Sequence, residues 1–201
     1  MVTTPLPSSK PSIEAVVIGA SAGAIDALNV LLPPLPRTLA VSVIVLVHVS
    51  ARLPSLLPDL FAAKCQVPVR EPVDKEPVAA GTIWFAPPNY HLLIERERTF
   101  SLSIDEPVNF SRPSIDVLFE SAAWAYGPHL LALVLTGASR DGCSGAAQVR
   151  KSGGIVAVQD PSTAVAPMLP RLAVSHASPQ KVGTLAQLSA LLLEHVGGAK
   201  S

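Results

Sequence analysis

The sequence predicts one doubly wound α/β domain, a mainly parallel sheet flanked by helices with a short antiparallel excursion. Unbroken β-branched runs of strand length alternate with segments of helical character, as they do when strands are buried on both faces. Two helix-like segments stop at Pro33-Pro34 and at Gly127, residues that end helices for backbone reasons. A chain of 201 residues with 49% hydrophobic and 15% charged side chains suits a single buried core.

Residues 1–12 are rich in Pro, Ser and Thr and are expected to form a flexible leader, with the folded domain spanning 13–197. AVVIGA (15–20) is the first strand, AIDALNVLL the first helix and VSVIVLV (41–47) the second strand. TIWFAP (82–87), HLLIE (91–95) and FSLSI (100–104) are short and more alternating, and are read as the antiparallel excursion. Ser114 offers an N-cap to the helix IDVLFESAAWAY, whose Asp116 lies in the first turn where the positive end of the dipole favours it. The strand LLALVLTG (130–137), a helix through GAAQVRKS, the strand GIVAVQD (154–160), a Pro-rich loop and a final helix LAQLSALLLEHV complete the order.

Lys and Arg total 15 against 15 Asp and Glu, so electrostatics gives no reason to expect nucleic acid or an anionic membrane as partner. Cys65 and Cys143 lie far apart and have no His or Cys neighbours at metal-ligand spacing, so neither a disulfide framework nor a metal or other cofactor is expected. The first residues lack an apolar run of signal-peptide or membrane-anchor length. The expected location is cytoplasmic, without direct membrane insertion.

Three polar residues occupy equivalent places, each just beyond the carboxyl end of a predicted parallel strand: Ser21, His48 and Asp141. Ligands bind at that edge in open α/β sheets. A serine hydroxyl is a weak nucleophile near neutral pH and needs a base, which in turn needs an orienting carboxylate, so the three types together suit acyl transfer. Gly19-Ala20-Ser21-Ala22-Gly23 matches the G-x-S-x-G turn that exposes a nucleophile between strand and helix. A helix starting there would aim backbone N–H groups, including that of Ala22, at an oxyanion beside Ser21. The competing reading of such a turn is a dinucleotide site or a helix cap. It lacks both the G-x-G-x-x-G order and the Gly-Lys-Ser/Thr end of a P-loop, and His48 stands where a ribose-binding acid would be expected. Taken alone, Asp141-Gly142 is an ordinary turn pair. The order Ser, His, Asp also differs from the Ser, Asp, His order of α/β-hydrolases.

VVIGASAGAIDAL, VLVHVS, WFAPPNYHLLI, RPSIDVLFESAA, VLTGASRDGCSGA and GGIVAVQDPSTAVAPMLPRLAV together resemble the CheB-type chemoreceptor glutamate methylesterases, over nearly the whole chain after Ile13. The resemblance implies a methylesterase catalytic domain over 13–197 that hydrolyses glutamate γ-methyl esters and, in some members, deamidates glutamine at equivalent sites of bacterial chemotaxis receptors. It maps nucleophile, base and orienting aspartate onto Ser21, His48 and Asp141, and a second backbone oxyanion donor onto Ala138, where the family usually has methionine. Ala22 and Ala24 depart from the usual threonine and glycine. The receiver domain that commonly precedes such a domain does not occur in the sequence, so control by phosphorylation in cis is not expected and a separate receiver protein is one route to regulation. The implied partner is a methylated chemoreceptor or receptor-like protein, whose acidic region Arg112 could face. The alternatives are a non-catalytic signalling or binding module of the same fold and an esterase or amidase for small molecules. His91 is read as structural, Asp160 and Arg171 carry no assigned role, and the three triad residues are expected at a loop edge with little weight in folding.

Overall fold

The computed structural model describes residues 12–48 and 55–197, so all of the expected leader except Ser12 lies outside the described residues. Its elements are β1 (Ala15–Ala20), α1 (Ala24–Leu31), β2 (Ser42–Val47), α2 (Leu57–Ala62), β3 (Val69–Arg70), β4 (Ile83–Phe85), β5 (His91–Ile94), β6 (Phe100–Ser103), α3 (Ile115–Tyr126), β7 (Leu130–Val134), α4 (Cys143–Lys151), β8 (Ile155–Gln159), α5 (Met168–Ala177), β9 (Lys181–Gly183) and α6 (Leu185–Val196). Seven strands form one parallel sheet in the order β3-β4-β2-β1-β7-β8-β9, and β5 and β6 pair as a separate antiparallel hairpin.

Alternation along β1 divides the interior into two layers. Val16, Ile18 and Ala20 pack with Leu28 and Leu31 of α1 and Leu188 and Leu192 of α6. Ala15 and Val17 face the other way, toward Ile115, Leu118 and Phe119 of α3 and Leu169 of α5. Every residue of β1 and β2 is buried, which is why those runs are apolar apart from Ser42 at the start of β2. Each large aliphatic side chain taken fully out of water there contributes about 1.5–3 kcal/mol.

Two expectations about local structure change. TIWFAP belongs to the parallel sheet rather than the antiparallel excursion: β4 pairs with β2, with Ile83 and Phe85 in one core layer and Trp84 in the other. Its mixed appearance comes from having only three strand residues, too few to show a period. The Pro-rich loop after β8 contains the ten-residue helix α5, because Pro170 falls in the first turn, where no intrahelical N–H is required. No helix among the described residues is long and apolar enough to cross a membrane.

The chain leaves β1 toward β2 on one side and returns to β7 on the other, so the topological switch point lies between β1 and β7, at whose carboxyl end a cleft opens. Close packing under that edge depends on Gly19. A Cβ built there would lie 2.5 Å from Ile115 Cγ2 and 3.2 Å from Phe119 Cζ, and Ile115 is β-branched and stiff. The absence of a side chain lets the start of α3 settle directly on β1. Gly19→Ala is therefore expected to cost about 1–3 kcal/mol by overpacking, seen as a lower urea midpoint at unchanged m-value. An unchanged midpoint would show that α3 can move aside freely.

Candidate active site

Strand register alone puts Ser21 and His48 side by side. Ala20 and Val47 are register partners, so the two residues follow in step on strands about 4.8 Å apart. The His48 N–H donates to Ala20 O at 3.2 Å. Both side chains line one cavity of about 480 Å³, with Ile25, Asp26 and Leu57. On the other flank of β1, the Ser21 N–H donates to Thr136 O at 2.9 Å, which ties the end of β1 to the end of β7.

His48 Nε2 stands 2.7 Å from Asp141 Oδ2. With Nε2 donating to the carboxylate, Nδ1 is the ring nitrogen left with a free lone pair. The Asp141 carboxylate is completely buried and sits on the N-terminus of α3. Its Oδ2 also accepts the Ile115 N–H at 2.7 Å, while Oδ1 accepts the Ser114 hydroxyl at 2.6 Å and the Asp116 N–H at 3.2 Å. Ser114 is the expected N-cap, accepting the Val117 N–H at 3.4 Å, so one hydroxyl both starts the helix and holds the carboxylate. Burial by itself would raise the Asp141 carboxyl. The hydrogen bonds from His48, Ser114 and the two backbone amides outweigh it and hold the group below the ordinary aspartate range. Asp141 thus differs from the expected loop-edge residue, since it joins β7, α3 and His48.

Asp116 mirrors this arrangement on the next helix. Its Oδ1 accepts the Gly142 and Gly145 N–H groups at 2.9 and 2.7 Å, at the start of α4, and its Oδ2 accepts the Asn109 amide at 2.8 Å. Here burial wins: the carboxyl is pushed above its ordinary value, opposed by the Gly145 N–H and reinforced by the charge of Asp141. Burial and then the charge of Asp116 also push the Cys143 thiol up to about 11, so it stays protonated near neutral pH and is no rival nucleophile.

Ala22 and Ala138 offer backbone N–H groups that donate to no acceptor among the described residues. Each is oriented through the carbonyl of its own peptide, because the two point in opposite directions across a trans peptide. Ser21 O accepts the Ala24 N–H at 3.0 Å, and Gly137 O accepts the Leu169 N–H at 2.9 Å. Gly137 abuts Ser21, so a Cβ built there would lie 3.2 Å from Ser21 Cβ. Thr136 fastens the two turns together: its hydroxyl donates to Ala22 O at 2.8 Å and accepts the Ala166 N–H at 2.9 Å. Gln159 Oε1 in turn accepts the Thr136 N–H at 2.9 Å.

Arg112 lines a second cavity of about 400 Å³ with His48, Asn89 and Phe110. Its guanidinium donates to Asn89 Oδ1 at 2.8 Å and to the carbonyls of Ile104 and Asp105 at 2.8 and 3.0 Å, which makes it a brace of the cleft wall. His91 is buried and lies 3.1 Å from Glu106 O through Nε2, remote from Ser21 in its bonding. Asp160 caps a short turn through the Ser162 N–H at 2.8 Å, and Arg171 is exposed beside Ala138 at a small cavity. Among the described residues no group of three or more His, Cys, Asp or Glu could hold a metal. The sequence reading passed over Thr136, Gln159 and the second role of Ser114. Each sits in a quoted motif, but its bonds join segments far apart in the chain.

The sequence model for CheB methylesterase matches residues 16–192. A Leptospira interrogans protein named for protein-glutamate methylesterase and protein-glutamine glutaminase activity is 42% identical over 180 residues, covering 90% of this chain and 93% of its own. A protein-glutamate methylesterase/protein-glutamine glutaminase of Trichodesmium erythraeum is 32% identical over 92% of this chain, which spans only 53% of that longer protein. The crystal structure of the Thermotoga maritima CheB methylesterase catalytic domain superposes with a TM-score of 0.86 at 28% identity, covering 91% of this chain and 98% of that domain.

The Asp141 geometry has a pH signature. In the unfolded chain an aspartate protonates near pH 4, whereas folded Asp141 resists protonation to lower pH, so its stabilisation is full above about pH 4 and is lost as pH falls through the folded pKa. Asp116, shifted the other way, contributes in the opposite sense. Asp141→Asn places an amide donor among groups that themselves donate, at an expected cost of about 1–3 kcal/mol at pH 7. Urea unfolding of both proteins should show this gap narrowing below about pH 4. A gap independent of pH would mean that the carboxylate charge is not what these donors hold.

Proposed function

Because the chain belongs to the CheB methylesterase family, we propose that it is a protein-glutamate methylesterase that hydrolyses glutamate γ-methyl esters, and deamidates glutamines at equivalent positions, on methylated chemoreceptors or receptor-like signalling proteins. We place the reaction in the cytoplasm. The observation that carries the reading is the 2.7 Å contact between His48 and a wholly buried Asp141, with Ser21 in step with His48 on the neighbouring strand.

In this reading the Ser21 hydroxyl attacks the ester carbonyl as His48 Nδ1 takes its proton, and Asp141 steadies the imidazolium through Nε2. The C–O bond to methanol breaks as the same proton passes to the leaving oxygen. Water, deprotonated by His48, then attacks the acyl-serine, the acyl C–O bond to Ser21 breaks as His48 returns the proton to Ser21 Oγ, and the glutamate carboxylate is released. For glutamine the leaving group is ammonia. The N–H groups of Ala22 and Ala138 are assigned to the developing oxyanion, a stabilisation worth about 3–4 kcal/mol per donor in comparable sites. Because both donors belong to the main chain, the departures at 22 and 138 leave the chemistry intact. The neutral overall charge favours recognition by local fit over long-range attraction.

Methanol release from methylated receptor membranes is the direct test. Ser21→Ala and His48→Ala should each remove at least about 99.9% of turnover, and the double variant should be little worse, because the two act as a unit. Near-normal release by Ser21→Ala would refute the mechanism, and turnover of simple esters without any receptor turnover would point to a small-molecule esterase. Thr136→Val keeps the side-chain volume while removing the hydroxyl that joins the two donor-bearing turns. It should lower kcat about 10–100-fold with KM little changed, and Thr136→Ser should restore most of the loss. Equal defects in both variants would assign Thr136 to packing alone.

A further inference from the structure

A left-handed pair of residues stands at the mouth of the cleft: Asn109 with φ 49° and Phe110 with φ 63°. They are the central residues of a tight turn closed by reciprocal backbone bonds between Val108 and Ser111, at 3.1 and 2.9 Å. Such a turn favours Asn-Gly, since both central positions need positive φ and only glycine takes it without strain. Asn109 suits its place and is fastened from beneath by its 2.8 Å bond to the buried Asp116. Phe110 does not suit its own. It carries a bulky side chain in a conformation that disfavours one, and it receives nothing back from the fold, because the residue is fully exposed.

Strain retained at an exposed position beside a reactive group points to a contact made outside the folded chain. What covers Phe110 follows from what it lines: a cavity that it shares with His48. His48 also lines the cavity that holds Ser21, so the two cavities meet at the imidazole. The wall does not yield, since Arg112 is tied to Asn89 and to the carbonyls of Ile104 and Asp105, and the turn itself is pinned to α3 through Asp116. Ile104, 72% exposed, and the half-exposed Tyr90 are further uncovered apolar side chains on the segments that Arg112 and Asn89 hold. A methyl ester alone is too small to need such a surface. A polypeptide that presents the ester carries neighbouring side chains that could use it.

We propose that Phe110 is a specificity-determining contact that receives an apolar side chain of the polypeptide bearing the methyl ester. The assignment rests on the methylesterase reading above. Phe110 supplies binding remote from the reacting carbonyl, so it separates protein substrates from small esters that share the same chemistry.

The test compares Phe110→Gly, Phe110→Ala and wild type on methylated receptor and on p-nitrophenyl acetate. The measured quantity is the ratio of kcat/KM for receptor to kcat/KM for the small ester. Both variants should lower it about tenfold, chiefly through a raised receptor KM. Phe110→Gly should also raise Tm, by about 2–4 °C, because glycine relieves the strained φ, so lost selectivity would accompany gained stability. A ratio unmoved within twofold in Phe110→Gly would overturn the proposal. So would a ratio lost only because receptor cleavage needs a self-associated form that Phe110→Gly dissociates, as sedimentation would show. Wild type that cleaves the small ester but no receptor would defeat the methylesterase reading and this assignment with it. Wild type that cleaves both, with variants unchanged, would defeat only the role of Phe110.

Discussion

A carboxylate withdrawn completely from water must be surrounded by donors, and Asp141 imposes that requirement on this fold. Four groups meet it: the His48 ring, the Ser114 hydroxyl and the first two amides of α3. They come from the end of β2 and the beginning of α3, and Asp141 itself follows β7, so one ion specifies how three separate parts of the chain meet. Removing one partner would leave a buried charge partly unsatisfied, which costs more than the lost bond alone. The catalytic candidate and the structural keystone are the same residue. Activity and folding cannot be separated here as cleanly as at an exposed serine.

The second carboxylate makes the arrangement reciprocal. Asp141, before α4, satisfies the N-terminus of α3, and Asp116, in the first turn of α3, satisfies the N-terminus of α4. The two helices can cross closely because Gly145 has no side chain, and a Cβ there would lie 2.6 Å from Phe119 Cβ. Exchange of charges between neighbouring helix ends lets each dipole stabilise an anion that belongs to the other. Burial raises both groups, yet their net shifts are opposite, since the donors from His48 and Ser114 outweigh burial at Asp141 and have no counterpart at Asp116. The pair therefore holds one firmly ionised carboxylate beside the imidazole and a second that resists ionisation.

Most of the frame was legible because it depends on short-range pattern. β1, α3 and α6 fall on the residues expected, since continuous apolar runs and the Ser114 and Gly127 ends state them locally. α5 was hidden by its prolines, and β3 and β9, of two and three residues, are too short to carry a period. For the site, strand ends pointed to Ser21, His48 and Asp141 because parallel strands in register deliver their following residues to one edge. The bonds of Thr136 to Ala22 and Ala166 were not legible, since they span 114 and 30 positions and a threonine at a strand end has many uses. The position of Phe110 was equally silent: nothing in Val-Asn-Phe-Ser announces a left-handed phenylalanine.

The two peptides beside Ser21 are steered by their carbonyls, one held by the start of α1 and the other by the start of α5. A main-chain donor aimed in this way has no side chain for selection to inspect. Positions 22 and 138 can then drift among residue types while the electrostatics of the cleft stays constant, and a search for invariant letters would overlook both. Proline is the substitution that deletes such a donor by its chemistry, because it alone lacks the N–H. Such a pair of donors is inherited as backbone shape, and its mutational target is correspondingly small.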